Sequence, residues 1–143
     1  MFDHSASSIA PRVVLVDDDR ETLALLHAFL SDEGMDVAGV AQGGAEANEL
    51  VDRLLPDVVL MDVRMPGVDG FEATRLIKER HPWMQVVMLT FNDDLLPAGD
   101  PERFGAFAYL VKGCRAGLMR DVIRRAWGRA SESRSLQLAR VPR

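Results

Sequence analysis

Five short, continuous apolar runs recur along the chain: Val13–Val16, Val37–Val40, Val58–Met61, Val86–Leu89 and Phe107–Val111. Each is too short for a helix and apolar at successive positions, the pattern of strands buried on both faces. Amphipathic stretches separate them. From Arg20 to Glu33 the stripe is Leu23, Leu26, His27 and Leu30, widened by Ala24 and Phe29. From Ala45 to Leu55 it is Ala47, Leu50, Val51 and Leu54; from Gly70 to Arg80 it is Phe71, Ala73, Thr74 and Ile77. From Arg115 to Gly128 it is Leu118, Met119, Val122, Ile123, Ala126 and Trp127. These spacings fit one face of a helix. Run and stripe alternating in this way predict an α/β fold, a parallel sheet with helices on both faces.

One unit breaks the rhythm. Where a helix is due between the fourth and fifth runs, Pro97, Gly99 and Pro101 fall within five residues. Each interior proline costs a helix about 3 kcal/mol. The expectation there is a loop, followed by at most a short helical turn from Pro101.

At 143 residues the chain suits one domain, able to bury a core without staples. Residues 1–10 and 131–143 have weak periodicity and are expected to be a flexible N-terminal segment and a flexible C-terminal tail around a domain at 11–130. Cys114 is the single cysteine, so no intramolecular disulfide can form. No run approaches the roughly 18 apolar residues of a membrane span, and Met1–Pro11 lacks the basic and apolar regions of a secretory signal. The expected location is cytoplasmic. Charge divides unevenly: residues 1–111 hold 8 basic and 20 acidic side chains, residues 112–143 hold 9 and 2.

Several acids sit at run ends. Asp17, Asp18 and Asp19 follow the first run and Asp62 follows the third. In an open parallel sheet, the carboxyl ends of strands at the topological switch point form the binding crevice. If the first and third strands are neighbours, Asp17, Asp18 and Asp62 converge there. Their repulsion calls for a cation, and hard oxygen ligands with open positions suit Mg²⁺. A carboxylate beside such a cation can attack a phosphoryl group. Thr90 and Lys112 end the fourth and fifth runs, adding a hydroxyl and an ammonium at the same rim. Asp19 is read instead as a helix cap, and Asp57 and Asp69 as turn residues.

The blocks Val13-Val14-Leu15-Val16-Asp17-Asp18-Asp19, Pro56 through Gly70, Val86-Val87-Met88-Leu89-Thr90 and Tyr109-Leu110-Val111-Lys112 together resemble the receiver domain of response regulators in two-component signalling. The resemblance spans roughly Pro11 to Ala130 and has a LuxR/NarL-type flavour. It implies a flavodoxin-like, doubly wound five-stranded parallel sheet of order 2-1-3-4-5, here with its fourth helix broken or shortened. It also implies that Asp62 is the phosphoacceptor and that Asp17, Asp18, Asp62 and the backbone carbonyl of Arg64 hold Mg²⁺. Thr90 matches the switch hydroxyl, Lys112 its lysine partner, and Tyr109 the coupled aromatic. Gly67 would take a backbone angle that other residues resist. The sequence departs from the pattern at Gly113, where many receivers have proline, and at Phe91, whose bulk follows Thr90 where a small residue is common.

The function expected is that of a phosphoacceptor response regulator, not an enzyme beyond weak self-phosphorylation and autodephosphorylation. Its donor would be a sensor histidine kinase or phosphotransfer protein, and its output a protein contact, with a homodimer compatible. Arg64 and Asn92 would flank the water that attacks the phosphorylated site. Phosphorylation is expected to reorganise residues 92–104. The alternative is the receiver part of a LuxR/NarL-type transcription regulator whose DNA-binding domain is absent from this chain. Arg120, Arg124, Arg125 and Arg129 can line one helix face as a nucleic-acid footprint. The acidic balance of the whole opposes that use, and a solvated face is favoured. A degenerate receiver unable to take phosphate is disfavoured by the complete set Asp17, Asp18, Asp62, Thr90 and Lys112.

Overall fold

The computed structural model describes residues 9–91 and 104–139. The expected helix break, and with it the segment that phosphorylation would reorganise, falls almost entirely in 92–103, outside the described residues. In chain order the elements are β1 (Arg12–Val16), α1 (Arg20–Asp32), β2 (Asp36–Ala41), α2 (Gly44–Leu54), β3 (Val58–Asp62), α3 (Gly70–Arg80), β4 (Gln85–Thr90), β5 (Ala108–Val111) and α4 (Ala116–Ala139). All strand pairings are parallel and the order is 2-1-3-4-5. This is the flavodoxin-like, doubly wound arrangement.

Alternate residues of the inner strands feed two cores. Val14, Val16, Val59, Met61, Val86 and Met88 point to one face, where Ala47 and Val51 of α2 and Ala73 and Ile77 of α3 cover them. Val13, Leu15, Val58, Leu60, Val87 and Leu89 point to the other, under Leu23 and Leu30 of α1 and Met119, Ile123 and Ala126 of α4. Each large side chain so buried contributes about 1.5–3 kcal/mol. Burial on both faces holds for β1 beyond Arg12 and for all of β3 and β4. It fails at the edges: β2 and β5 are only partly covered, with Val40 and Val111 exposed. Their apolar runs are the same, but each has a paired strand on one side only.

The helices begin where local chemistry allows. The Asp19 carboxylate accepts from the Glu21 N–H and the Thr22 hydroxyl, capping α1. The Asp69 carboxylate accepts from the Glu72 N–H, capping α3. His27 and Ala24, counted in the α1 stripe, are exposed instead.

α4 runs on past 130 to Ala139. Ala130 is buried, and one turn later the Arg134 guanidinium lies 3.7 Å over the Trp83 ring and 3.5 Å from Asp57. Those partners are remote in sequence and hold the helix where its own periodicity fades. Asp57 is more than a turn residue. It is buried, and its carboxylate accepts the Arg12 backbone N–H at 2.9 Å, tying the start of β1 to β3.

Candidate functional site

The parallel register sets four strand ends side by side. Asp62 stands opposite Leu89, so Thr90 lies one residue further on; Thr90 stands opposite Val111, so Lys112 lies one further again. Backbone bonds carry the ladder past the strand ends, from Asp17 N–H to Ala41 carbonyl, Val63 N–H to Leu89 carbonyl and Lys112 N–H to Thr90 carbonyl. Side chains leaving the sheet at this rim are therefore held by backbone rather than by loops.

Asp17, Asp18 and Asp62 each offer a carboxylate oxygen, and the three oxygens lie within 4.8 Å of one another. Asp17 and Asp62 are buried; Asp18 is exposed. One oxygen of Asp17 accepts the Asp19 backbone N–H at 2.9 Å, and the other accepts from the Lys112 ammonium at 2.6 Å. Lys112 also lies 3.2 Å from Asp62. One ammonium thus bridges two buried carboxylates, with a third alongside.

The electrostatics follow from that count. Burial, and next the negative charge of Asp17, push the Asp62 carboxyl up to about 6, against the pull of Lys112 and of a hydrogen bond from the Arg64 backbone N–H. Burial alone would lower Lys112, but the Asp17 hydrogen bond and the Asp62 charge outweigh it and leave the ammonium above its ordinary range. Lys112 therefore stays protonated while Asp62 retains an affinity for positive charge that one lysine does not satisfy. An all-oxygen donor set with this unsatisfied charge fits a hard divalent cation. A cleft of about 520 Å³ opens beside the cluster, lined by Asp18, Val63, Arg64 and Met65.

Of the residues singled out in the sequence, Asp17, Asp18, Asp62 and Lys112 are in one cluster. Thr90 is buried at the same rim. Arg64 follows within two residues of Asp62, its side chain exposed. Tyr109 lies elsewhere, on β5 opposite Met88, its ring edge-on to Phe71 at 6.5 Å in the core between sheet and α3. Gly67 takes φ +78, the angle expected of it. Gly70 makes a close approach that composition alone does not reveal. A Cβ there would collide with the carbonyl oxygen of Asp62 and crowd Val63, so α3 begins in backbone contact with the strand end.

Phe91 adds more than bulk after Thr90. Its ring, largely exposed, lies 4.4 Å from the Lys112 ammonium, a cation–π contact that caps the lysine from the solvent side. The signal available was an aromatic next to a strand-end threonine, too common to single out. The basic face of α4 is partly engaged within the fold: Arg120 lies 3.5 Å from Glu33, and Arg124 donates to the Glu33 carbonyl.

The 2-1-3-4-5 sheet thus gathers three aspartates and a lysine at the carboxyl ends of its strands, the arrangement of a receiver-type signalling module. The chain belongs to the response regulator receiver domain family, whose model matches residues 13–124. Among curated relatives, it is 39% identical over 100 residues to the DNA-binding transcriptional regulator NtrC of Escherichia coli K12, covering 70% of this chain and 21% of that protein. It is 39% identical over 115 residues to the response regulator GacA of Pseudomonas viridiflava, covering 79% and 53%. The chain thus spans from about a fifth to half of these relatives' length. Among solved structures, the response regulator domain of Thermotoga maritima CheB superposes with a TM-score of 0.75 at 30% identity, covering 83% of this chain and 97% of that one. The signal receiver domain of a modulated diguanylate cyclase from Desulfovibrio desulfuricans G20 gives 0.77 at 28%, covering 87% and 98%. This is a receiver domain of two-component signalling. Among the described residues no helix is long and apolar enough to cross a membrane.

Proposed function

We propose that Asp62 is the phosphoacceptor of this receiver and that its donor is a sensor histidine kinase or a phosphotransfer protein. A carboxylate oxygen of Asp62 forms a bond to phosphorus as the bond from phosphorus to the donor's imidazole nitrogen breaks, giving an acyl phosphate and a free imidazole. Asp17, Asp18, Asp62 and the backbone carbonyl of Arg64 are the residues that would hold Mg²⁺, which when bound supplies charge neutralisation for the transferring group. Lys112 offers its ammonium to a phosphoryl oxygen, and Thr90 its hydroxyl. By engaging the phosphoryl group, these two carry the change into β4 and β5, with Tyr109 the aromatic coupled to it on the packed face. The output is a protein contact. Self-phosphorylation and autodephosphorylation are side reactions of the same site.

The observation that carries this reading is the Lys112 bridge between two buried carboxylates, one of which, Asp62, is left under-neutralised. Labelling by a small phosphodonor is expected to require Mg²⁺ and to vanish in Asp62→Asn. Labelling that survives that substitution would move the phosphoacceptor elsewhere. The matched curated relatives are longer than the matched region, and NtrC is a DNA-binding regulator by name. The receiver part of a transcription regulator is accordingly the second reading, and the reading frame beyond Arg143 tests it.

A further inference from the structure

The opposite, amino-terminal edge of the sheet carries a cleft of about 480 Å³ between the end of α3, the loop into β4, the start of β5 and the last turns of α4. Lys78, Gln85, Phe107, Arg129 and Ser133 are among its walls. The Lys78 ammonium is half-buried and donates to the carbonyls of Pro82 and Met84, each at 2.7 Å. An ammonium has three donors, so one is left over. Gly105, at φ +85, lays its backbone across the lysine stem, and a Cβ there would come within 3.0 Å of Lys78 Cγ. The stem packs under Gly105, and the two carbonyls hold the ammonium at the cleft.

Arg129 faces the same cleft, its guanidinium 5.6 Å over the Phe107 ring, and Ser133 follows four residues later on the same face of α4. Burial first, and then the positive charge of Arg129, hold Lys78 below its ordinary range. Glu72 and Glu79 pair with Arg75, and Asp52 pairs with Arg80 and His81. Among the described residues no carboxylate forms an ion pair with Lys78 or Arg129. In a chain of net charge −5, two cations share one cleft.

We propose that this cleft is an oxyanion site, in which one carboxylate or phosphate group sits between Lys78 and Arg129 with the Ser133 hydroxyl as a further donor. Charge-assisted bonds from ammonium and guanidinium are the strong class for such groups, and a hydroxyl completes the donor set. The site is separate from Asp62, at the other end of the strands, and does not depend on the phosphoacceptor reading. The group can arrive as a free small anion or on an acidic side chain of a protein; the chemistry that recognises it is the same.

The test is a nuclear magnetic resonance titration of the full chain with inorganic phosphate, free of divalent cations and at constant ionic strength, with chloride as the control. Saturable shifts are expected at the amides of Gly105, Phe107 and Ser133, with Asp62 and Lys112 unmoved. Arg129→Gln is expected to weaken binding by about tenfold. Ser133→Ala, which leaves both charges, is expected to weaken it less. Asp62→Asn should bind phosphate like the parent chain, which separates this result from the fate of the phosphoacceptor proposal. In a second arm, a short glutamate-rich peptide competing for the same amides identifies a protein source. Phosphate binding without competition identifies a free anion. Shifts that stay linear, that chloride reproduces, or that are unaltered in folded Arg129→Gln would overturn the site.

Discussion

Asp57 and Asp62 flank β3, one just before the strand and one at its end, about 17 Å of extended chain apart. Both are buried, and their surroundings differ in kind. Asp57 accepts the Arg12 backbone N–H and lies beside Arg134, which itself rests on Trp83. Asp62 meets two more carboxylates and shares a single lysine with one of them. The first end is closed by its own chain; the second is left with charge to neutralise. The same residue type at the two ends of one strand is thus an anchor at one edge and part of an under-neutralised acidic cluster at the other. What decides between them is the sign of the neighbours.

Removing the lysine should break the comparison most visibly. Lys112→Met leaves Asp17 and Asp62 buried without a counter-charge, at a cost of about 3 kcal/mol in urea unfolding at pH 8 without divalent cations. The cost should shrink towards pH 5, as Asp62 takes up a proton in its place. A loss that is the same at both pH values would mean that the carboxylates are less confined than the geometry indicates.

Removing the anchor comes next. Asp57→Ala strands the Arg12 N–H and the Arg134 guanidinium, a loss of about 2 kcal/mol. Mg²⁺-dependent labelling at Asp62 should be untouched in the folded variant. Labelling that falls in step with stability would show the two ends to be one unit.

The smallest effect concerns pH. Asp62 is held near 6 in the folded chain against about 3.9 unfolded, so the folded state binds its proton more tightly. That stabilisation is complete below pH 4 and is lost as pH rises through 6. Without divalent cations, Asp62→Asn should therefore gain on the parent chain as pH rises from 4 to 7. Added Mg²⁺ should narrow the gap by stabilising the parent. A gap that runs the other way would place Asp62 below its ordinary range and undo the contrast with Asp57.

How much of this was legible in the sequence depends on the reach of each interaction. The interior strands and the stripes of the helices are local patterns, and Leu23, Ala47, Ile77 and Ile123 are buried as their spacing implies. The rim cluster was legible because a parallel register turns strand-end residues into neighbours. What escaped were contacts whose partners lie far along the chain. Asp57 looks like a turn residue until Arg12, 45 positions earlier, is beside it. The extension of α4 beyond 130 depends on Trp83 and Asp57, which no helical period encodes. Exposure of β2 and β5 depends on their place at the edges, which apolar content does not carry. The cap of Phe91 over Lys112 needs the distance between two strand ends.

Gly70 has a consequence for how this domain can vary. Its missing side chain is the space in which α3 meets the carbonyl of Asp62. Any other residue must lever the helix away from the strand that carries Asp62. A saturation library at position 70, selected only for folding, should return glycine, although the position bears no charge and offers no side chain to the acidic cluster. The surroundings of Asp62 can be retuned by exchanging side chains, while the spacing of helix and strand is inherited whole.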